Sequence, residues 1–372
     1  ADAATAFAST DQAPPSRPTL IRNATVLTGT GTRLDGADVL LRDGKVEAVG
    51  VGIAAGDAEV VDASGRWVTP GLIDVHSHLG VYASPGMAAH ADGNEMVDPV
   101  TAQVWAEHAV WPQDPGFQTA LEGGVTTMQV LPGSGNLVGG RGVTLRNVQA
   151  TTYQAMKFPG ALQGLKMACG ENPKRYYGGM MRAPMTRMGN VAGYRQAFAD
   201  AQDYQRGLDK YARELAAYEK KRGKAKGKDD EAAPPSAPKR DLRLETLAAA
   251  MRGEVLLQIH CYRADEMAVM LDIATEFGFR ISAFHHGVEA YKLADTLAFM
   301  DVMPQSPGHA LVVPKAASRN VLDADPAVLA KILPLVQKVA IASKAAFNAD
   351  GITVWQFNEP AGGQTVFHLH YH

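Results

Sequence analysis

The chain has 372 residues, of which 46% are hydrophobic and 20% charged, and its formal net charge is −3. This is ordinary globular composition, with enough apolar sequence for a sizeable core in two or three domains or in one large barrel with additions. It excludes a global basic field that would recruit nucleic acid or anionic membrane. Two cysteines, Cys169 and Cys261, exclude a disulfide scaffold or a cysteine-rich zinc module, and no apolar run approaches the roughly 18 residues of a membrane span.

Residues 1–18 are rich in Ala, Ser and Pro and begin without Met, which reads as a flexible, disordered leader left by export processing, or as a fragment boundary. Residues 19–70 read as a small all-β unit. Its β-rich pieces fall at 20–27, 39–42, 46–49, 59–61 and 67–69, with Asp43-Gly44 as a hairpin turn. From Gly71 the pattern alternates between strands and helices. Short apolar strands are expected at 72–76, 125–131, 162–167, 255–260 and 280–285, and helices at 263–277 and 289–300. That grammar predicts an α/β barrel or a doubly wound sheet. Residues 199–247 interrupt it with a charged helix pattern over 199–221 and a Lys/Asp/Pro linker over 224–239. Asp229, Asp230 and Glu231 break the positive run of that linker, so it reads as a solvated insertion rather than a basic binding tail. After residue 297 the grammar becomes α+β: a strand at 309–314, one long helix at 326–347 with Pro334 as a possible kink, and strands at 352–357 and 365–372, where the pattern stops without a closing turn.

The sharpest chemical signal is VTPGLIDVHSHLG, residues 68–80. His76 and His78 lie two apart at the end of a strand, where a period of two points both imidazoles the same way and lets them chelate one divalent metal. His260 ends VLLQIH, and His285 and His286 end ISAFHH. Strand C-terminal ends of a barrel open onto one face, so these rings can meet although they are far apart in sequence.

On these motifs, residues 19–293 resemble the amidohydrolase superfamily, in particular the imidazolonepropionase-like metal-dependent hydrolases. The fold implied is a (β/α)8 TIM-like barrel with a small N-terminal β-sandwich. The resemblance implies metal ligation by His76, His78, His260 and the histidine of barrel strand six, taken as His286 because it directly precedes Gly-Val-Glu-Ala. A bridging ligand comes from barrel strand four, where GLKMACGENPKR offers Lys166, as a carboxylated lysine, or Glu171. Lys166 sits inside an apolar strand, where a bare ammonium is costly, so metal contact or carbamylation would account for it. The cofactor expected is a divalent metal, zinc, as one or two ions, which would activate water against a C–N bond of a small-molecule, often cyclic, amide.

The barrel is expected to be incomplete. Residues 71–296 without the insertion hold chain for about six βα units at about 30 residues each. Barrel strands seven and eight, and the catalytic aspartate that the family carries on strand eight, have no candidate. GSGNLVGGRG at 133–142 departs from a dinucleotide loop in spacing and reads as a loop at the barrel mouth.

The chain ends TVFHLHYH, with His368, His370 and His372 alternating along one strand face. A three-histidine zinc site or a purification tag are alternatives. The wider context, DVMPQSPGHALVVPK and NEPAGGQTVFHLHYH, resembles the histidine triad (HIT) nucleotide-binding hydrolases and transferases. The resemblance implies His370 as nucleophile, forming a nucleotidyl-imidazole, with His368 and His372 holding phosphate, Asn358 and Thr365 hydrogen-bonding nearby, Asp301 on the ribose of a purine nucleotide and His309 supporting the strand pairing. It also implies a homo-oligomer.

The expected architecture is therefore a leader (1–18), a β-sandwich unit (19–70), an incomplete barrel (71–296) and a truncated α+β histidine triad domain (297–372). Two families, each cut short, meet near residues 291–300 with no Pro/Gly/Ser linker, which points to a chimeric join. The favoured function is a metal-dependent hydrolase of non-peptide C–N bonds, impaired by its missing strands. A nucleotide hydrolase or transferase using His370, and a non-catalytic chimera, are the alternatives. The leader points to export and the triad segment to the cytoplasm.

Overall fold

Asp43 and Gly44 both have positive φ, 52° and 70°, and close a tight antiparallel hairpin in which Arg42 faces Lys45. The hairpin belongs to a computed structural model that describes residues 7–12, 15–29, 32–224, 233–293, 296–300, 309–347 and 349–372. Two compact units make up the chain: Ala1–Gln12 with Gly71–Ala290, and Ala13–Pro70 with Tyr291–His372.

In the second unit, β1 (Thr19–Leu27), β2 (Arg33–Arg42), β3 (Lys45–Gly50), β4 (Glu59–Asp62) and β5 (Trp67–Val68) form one five-stranded sheet ordered β3-β2-β1-β4, with β5 also on β1. Its buried face is small: Ala24, Val26, Ala37, Val39 and Ala63. Asp38 is buried beside it, and its carboxylate accepts from the backbone N–H of Asn23 at 3.1 Å and of Ile53 at 3.0 Å. The five strands make a single sheet, not the two facing layers of the expected sandwich.

The first unit begins with β6 (Leu72–Ser77), α1 (Pro115–Glu122) and β7 (Val125–Val130); β6 and β7 are parallel. Asp114 caps α1 by accepting from the Gly116 N–H, and Pro115 fills the first helical position, where no backbone donor is needed. β8 (Val138–Arg141) and β9 (Val143–Arg146) run antiparallel to their neighbours and lie partly in the segment read as a mere loop. α2 (Tyr153–Met156) leads to β10 (Gly164–Ala168), α3 (Glu171–Gly179), α4 (Arg187–Lys224) and α5 (Leu242–Met251). β11 (Leu256–His260), α6 (Ala264–Phe277) and β12 (Ile281–His285) follow. β10, β11 and β12 are parallel, in register Ala168–His260–His285. This register brings the C-terminal ends of three strands level. Their core is Leu165, Met167, Leu257 and Ile259, packed by Met267, Met270 and Ile273 of α6. α4 begins a dozen residues before the expected helix because Tyr194, Ala197, Phe198 and Ala201 on its early turns bury into the same core. Residues 225–232 of the expected linker lie outside the described residues.

Residues 7–12 belong to the expected leader but are tied to the first unit. Lys157 Nζ donates to the Phe7 carbonyl at 2.6 Å, and Arg146 pairs with Asp11 at 2.6 Å. Lys157 also reaches Glu107 at 2.6 Å, with both side chains buried.

In the second unit, β13 (Thr296–Met300) pairs antiparallel with β14 (Ala310–Pro314), from Thr296↔Pro314 to Met300↔Ala310. This corrects the expected helix over 289–300: a five-pair ladder outcompetes local helix propensity, and only a short 3-10 turn, Ala290–Lys292, remains. α7 (Pro326–Ala346) is capped by Asp325 and packs Ile332 and Val336 on Val312. It has 21 residues, and an 18-residue window within it reaches a mean hydropathy of 1.4, long and apolar enough by length and composition to cross a membrane. The earlier exclusion looked for unbroken apolar runs, and Lys331 and Lys338 interrupt this one. The strands expected at 352–357 and 365–372 do not form. The backbone bends at 366–368, and pairing is limited to bonds such as Val312 with Tyr371 and Trp355 with His372.

Candidate functional site

Five imidazoles and one lysine converge at the strand ends of the first unit. The His76 ring lies 5.1 Å from that of His78, 4.5 Å from His285 and 4.8 Å from His286, and the His260 ring is 4.6 Å from His286. His76 Nδ1 faces His285 Nδ1 at 2.7 Å, and Lys166 Nζ lies 3.3 Å from His76 Nε2. Lys166 is fully buried. Glu171, the alternative bridging residue, is exposed at the first turn of α3.

Both residues of the His285-His286 pair lie at the cluster, which places His285 beside the expected His286. His285 is the buried end of β12. His286 is exposed and has φ of 55°, a left-handed conformation that bulky residues rarely adopt and that turns its ring back over the cluster.

Neighbouring acceptors set the tautomers. A backbone carbonyl only accepts, so His78 Nδ1 donates to Leu131 O at 2.7 Å and leaves Nε2 with its lone pair. His285 Nε2 likewise meets Gln258 Oε1 at 2.6 Å, which leaves its Nδ1 lone pair facing His76. Asn172 Nδ2 donates to His260 Nε2 at 3.1 Å and to Ser134 Oγ at 2.9 Å. His260 Nδ1 is buried with no hydrogen-bond partner.

The electrostatics agree with this donor set. Burial first, then the Lys166 ammonium and the other rings, pushes His76 down to about 3. Burial, then His286 and Lys166, takes His260 to about 3, and burial then Lys166 takes His285 to about 4. Burial also lowers Lys166 to about 8. Each ring is therefore a neutral donor at neutral pH. Neutral imidazoles with an orphaned ring nitrogen and no carboxylate among them are donor chemistry that suits a divalent cation.

A cavity of about 750 Å³ opens beside His78, with Tyr82, Asn94, Ser134, Asn172 and Arg175 on its wall. Sequence reasoning missed Gln258, Asn172 and Arg175. Gln258 is two residues before His260 on the same strand, a period-two signal that was available. It also left Cys169 and Cys261 unpaired, whereas they form a disulfide with Cα atoms 5.2 Å apart, just past the ends of β10 and β11. Their sulfurs and the Glu266 carboxylate cluster within 4.8 Å, and Glu266 pairs with Arg187 at 2.6 Å.

The carboxy-terminal histidines form a second group in the other unit. The rings of His370 and His372 are 4.8 Å apart, and His309 Nε2 meets His372 Nδ1 at 2.8 Å. His370 Nδ1 donates to His368 O at 2.6 Å, and His368 Nε2 donates to Pro314 O at 2.7 Å. Asn358 Oδ1 accepts from the Val321 N–H at 3.0 Å, Thr365 is exposed, and Asp301 lies outside the described residues. His309 and His372 border an apolar cavity of about 380 Å³ between α7 and residues 351–355, lined also by Val336, Val339, Phe347 and Trp355.

Known proteins resemble two different stretches of the chain. The chain is 34% identical over 308 residues to the amidohydrolase tasK of Hapsidospora irregularis, covering 76% of this chain and 30% of that protein. It is 35% identical over 146 residues to an imidazolonepropionase from Chromobacterium violaceum, covering 32% of this chain and 35% of that protein. Among solved structures, an amidohydrolase from Thermotoga maritima superposes with a TM-score of 0.63 at 38% identity, covering 74% of this chain and 66% of that one. The HIT domain family model matches residues 288–372. Amidohydrolase homologues thus cover about three quarters of the chain, and a HIT domain occupies residues 288–372. It spans about a third of the length of these two curated relatives.

Proposed function

We propose that the chain is a metal-dependent hydrolase of non-peptide C–N bonds in small amides. The observation that carries this is the convergence of His76, His78, His260, His285 and His286 as neutral imidazoles, with Lys166 beside them, at the ends of parallel strands. These residues would hold one or two divalent ions, zinc by their nitrogen-rich chemistry. A divalent ion bound there supplies Lewis acidity toward the amide carbonyl and acidity to water. The chain's own groups do the rest. Leu131 O and Gln258 orient His78 and His285. Asn172 spends its two amide protons on His260 Nε2 and Ser134 Oγ and so fixes the His260 ring at the cavity wall. Lys166, with its lowered pKa, is the amine that CO₂ can convert to a bridging carbamate.

Within this reading the domains are the leader, the β unit at 19–70, a barrel at 71–296 and the HIT segment at 297–372. The barrel lacks its seventh and eighth strands. In support, β6 and β12 stand at the edges of their sheets, and Ile73 and Val75 on β6 are 69% and 64% exposed. Without an aspartate to relay the proton, turnover is impaired. The disulfide favours the exported over the cytoplasmic compartment.

The test is metal stoichiometry on intact protein of verified mass after gentle purification. The expected result is one or two equivalents, falling by about tenfold or more in His76→Ala; metal-free wild type, or unchanged metal in the variant, refutes the reading.

A second reading belongs to the HIT segment. His370 Nδ1 is held as a donor by the His368 carbonyl, so Nε2 keeps its lone pair and is a nucleophile for the α-phosphorus of a purine nucleotide.

A further inference from the structure

Cys169 and Cys261 sit one residue past the last paired positions of β10 and β11, Ala168 and His260. Their N–H groups still donate across the sheet, Cys169 to His260 O at 2.8 Å and Cys261 to His285 O at 3.0 Å. Neighbouring residues of an extended chain face opposite ways, so where His260 joins the imidazoles, Cys261 turns to the other side. There both sulfurs are buried in the core with Met267 of α6 and Tyr194 of α4.

A third donor enters this core from the first turn of α6. Asp265 stays in solvent on Arg263, but Glu266 next to it is buried. Its Oε1 pairs with Arg187 at 2.6 Å, and its Oε2 lies 3.7 Å from Cys169 Sγ. The two sulfurs and a Glu266 oxygen all fall within 4.8 Å of one another. The backbone leaves room for the carboxylate: Gly170 has φ of 71°, and a Cβ there would collide with Glu266 Oε2. Asn190 holds the Gly170 carbonyl through Nδ2 at 2.8 Å, and its own Oδ1 is buried with no hydrogen-bond partner.

Two sulfurs and a carboxylate oxygen are a donor set for a thiophilic divalent cation of the zinc class. We propose that Cys169, Cys261 and Glu266 form a second, redox-gated metal site, closed by the disulfide and opened by reduction. An external phosphine or dithiol supplies two electrons, the S–S bond breaks, and two protons from water give two thiols; the phosphine leaves as its oxide, or the dithiol as its disulfide. The cation then displaces both thiol protons to solvent as two sulfur–metal bonds and one oxygen–metal bond form. Two thiolates, the carboxylate, the Arg187 guanidinium and a dication sum to no net charge, which is what a buried assembly requires. None of these residues belongs to the histidine cluster, so the proposal does not depend on the hydrolase reading.

The test is a cobalt(II) titration of the full chain, oxidised and after anaerobic reduction with a water-soluble phosphine, with thiols counted and the fold checked by circular dichroism. The reduced wild type is expected to take up one further equivalent, and this equivalent should produce a near-ultraviolet thiolate-to-cobalt charge-transfer band that zinc abolishes. Glu266→Gln keeps both thiols and should weaken the band-forming equivalent by about tenfold or more. Cys169→Ser should remove the band, and His76→Ala should leave it in place. A reduced, folded wild type without the band overturns the proposal. So does a band in the oxidised protein, an affinity unchanged in Glu266→Gln, or a disulfide that cannot be reduced without unfolding the chain.

Discussion

Each imidazole of the cluster is held neutral by burial and by its neighbours, and this has a sign. His76, His260 and His285 titrate at about 3 to 4 when folded, against about 6.5 when unfolded. Between those values the unfolded chain binds more protons, so the stability of the metal-free protein is full above about pH 6.5 and falls as the pH drops toward 3. Urea midpoints taken on metal-free protein from pH 7 to 4 should decline, and His260→Asn should flatten the decline; a pH-independent midpoint would refute the neutral cluster. At this scale the sequence was partly readable. His76, His78, His260 and Lys166 announce themselves because strand alternation and strand ends are local signals. Asn172 does not, because its contact with His260 depends on how α3 lies against the cluster, a tertiary fact without a period of its own.

Buried charge also organises elements of the first unit away from the strand ends that carry the histidines. Glu107 lies on a short 3-10 turn, Ala106–His108, and Lys157 follows α2, yet they meet at 2.6 Å with Gln163 Nε2 also on Glu107 at 3.3 Å. Lys157 then holds the Phe7 carbonyl, which fixes the residues expected to be a loose leader. Removing one partner strands a buried charge, so Glu107→Ala should cost about 3–5 kcal/mol in denaturant unfolding, and Glu107→Leu with Lys157→Leu should cost less; a milder effect of the single change would contradict the burial. The parallel strands of the first unit were legible because their apolar runs are short and bounded by Gly or Pro, whereas the antiparallel β8 lay in a Gly-rich stretch that reads as a loop. The helix expected at 289–300 failed because its apolar residues suit either period, and the partner strand 310–314 decided the matter. The end strands failed for the converse reason: alternation is present at 365–372, but a continuous neighbouring ladder is not.

At the scale of the molecule, the two proposed sites fall in different compact units. They should therefore fail independently. A purine nucleotide labelled at its α-phosphate should mark His370 covalently in the wild type and equally in His76→Ala, and the mark should vanish in His370→Ala. Absence of label in folded protein would refute the nucleotide reading and leave the metal site untouched. Both family signatures were legible in sequence because each is a short motif on one strand or its exit. The division into units was less so: residues 13–70 and 291–372 group together although most of the chain runs between them.

The bridge between Cys169 and Cys261 spans a sequence separation of 92 residues, from the end of β10 to the end of β11. α3, α4 and α5 all lie inside that span. A protease that cuts anywhere within it cannot release a fragment while the sulfurs stay joined. The nicked protein would migrate as two polypeptides on a reducing gel and as one band on a non-reducing gel, with the His260 strand still stapled to the Lys166 strand.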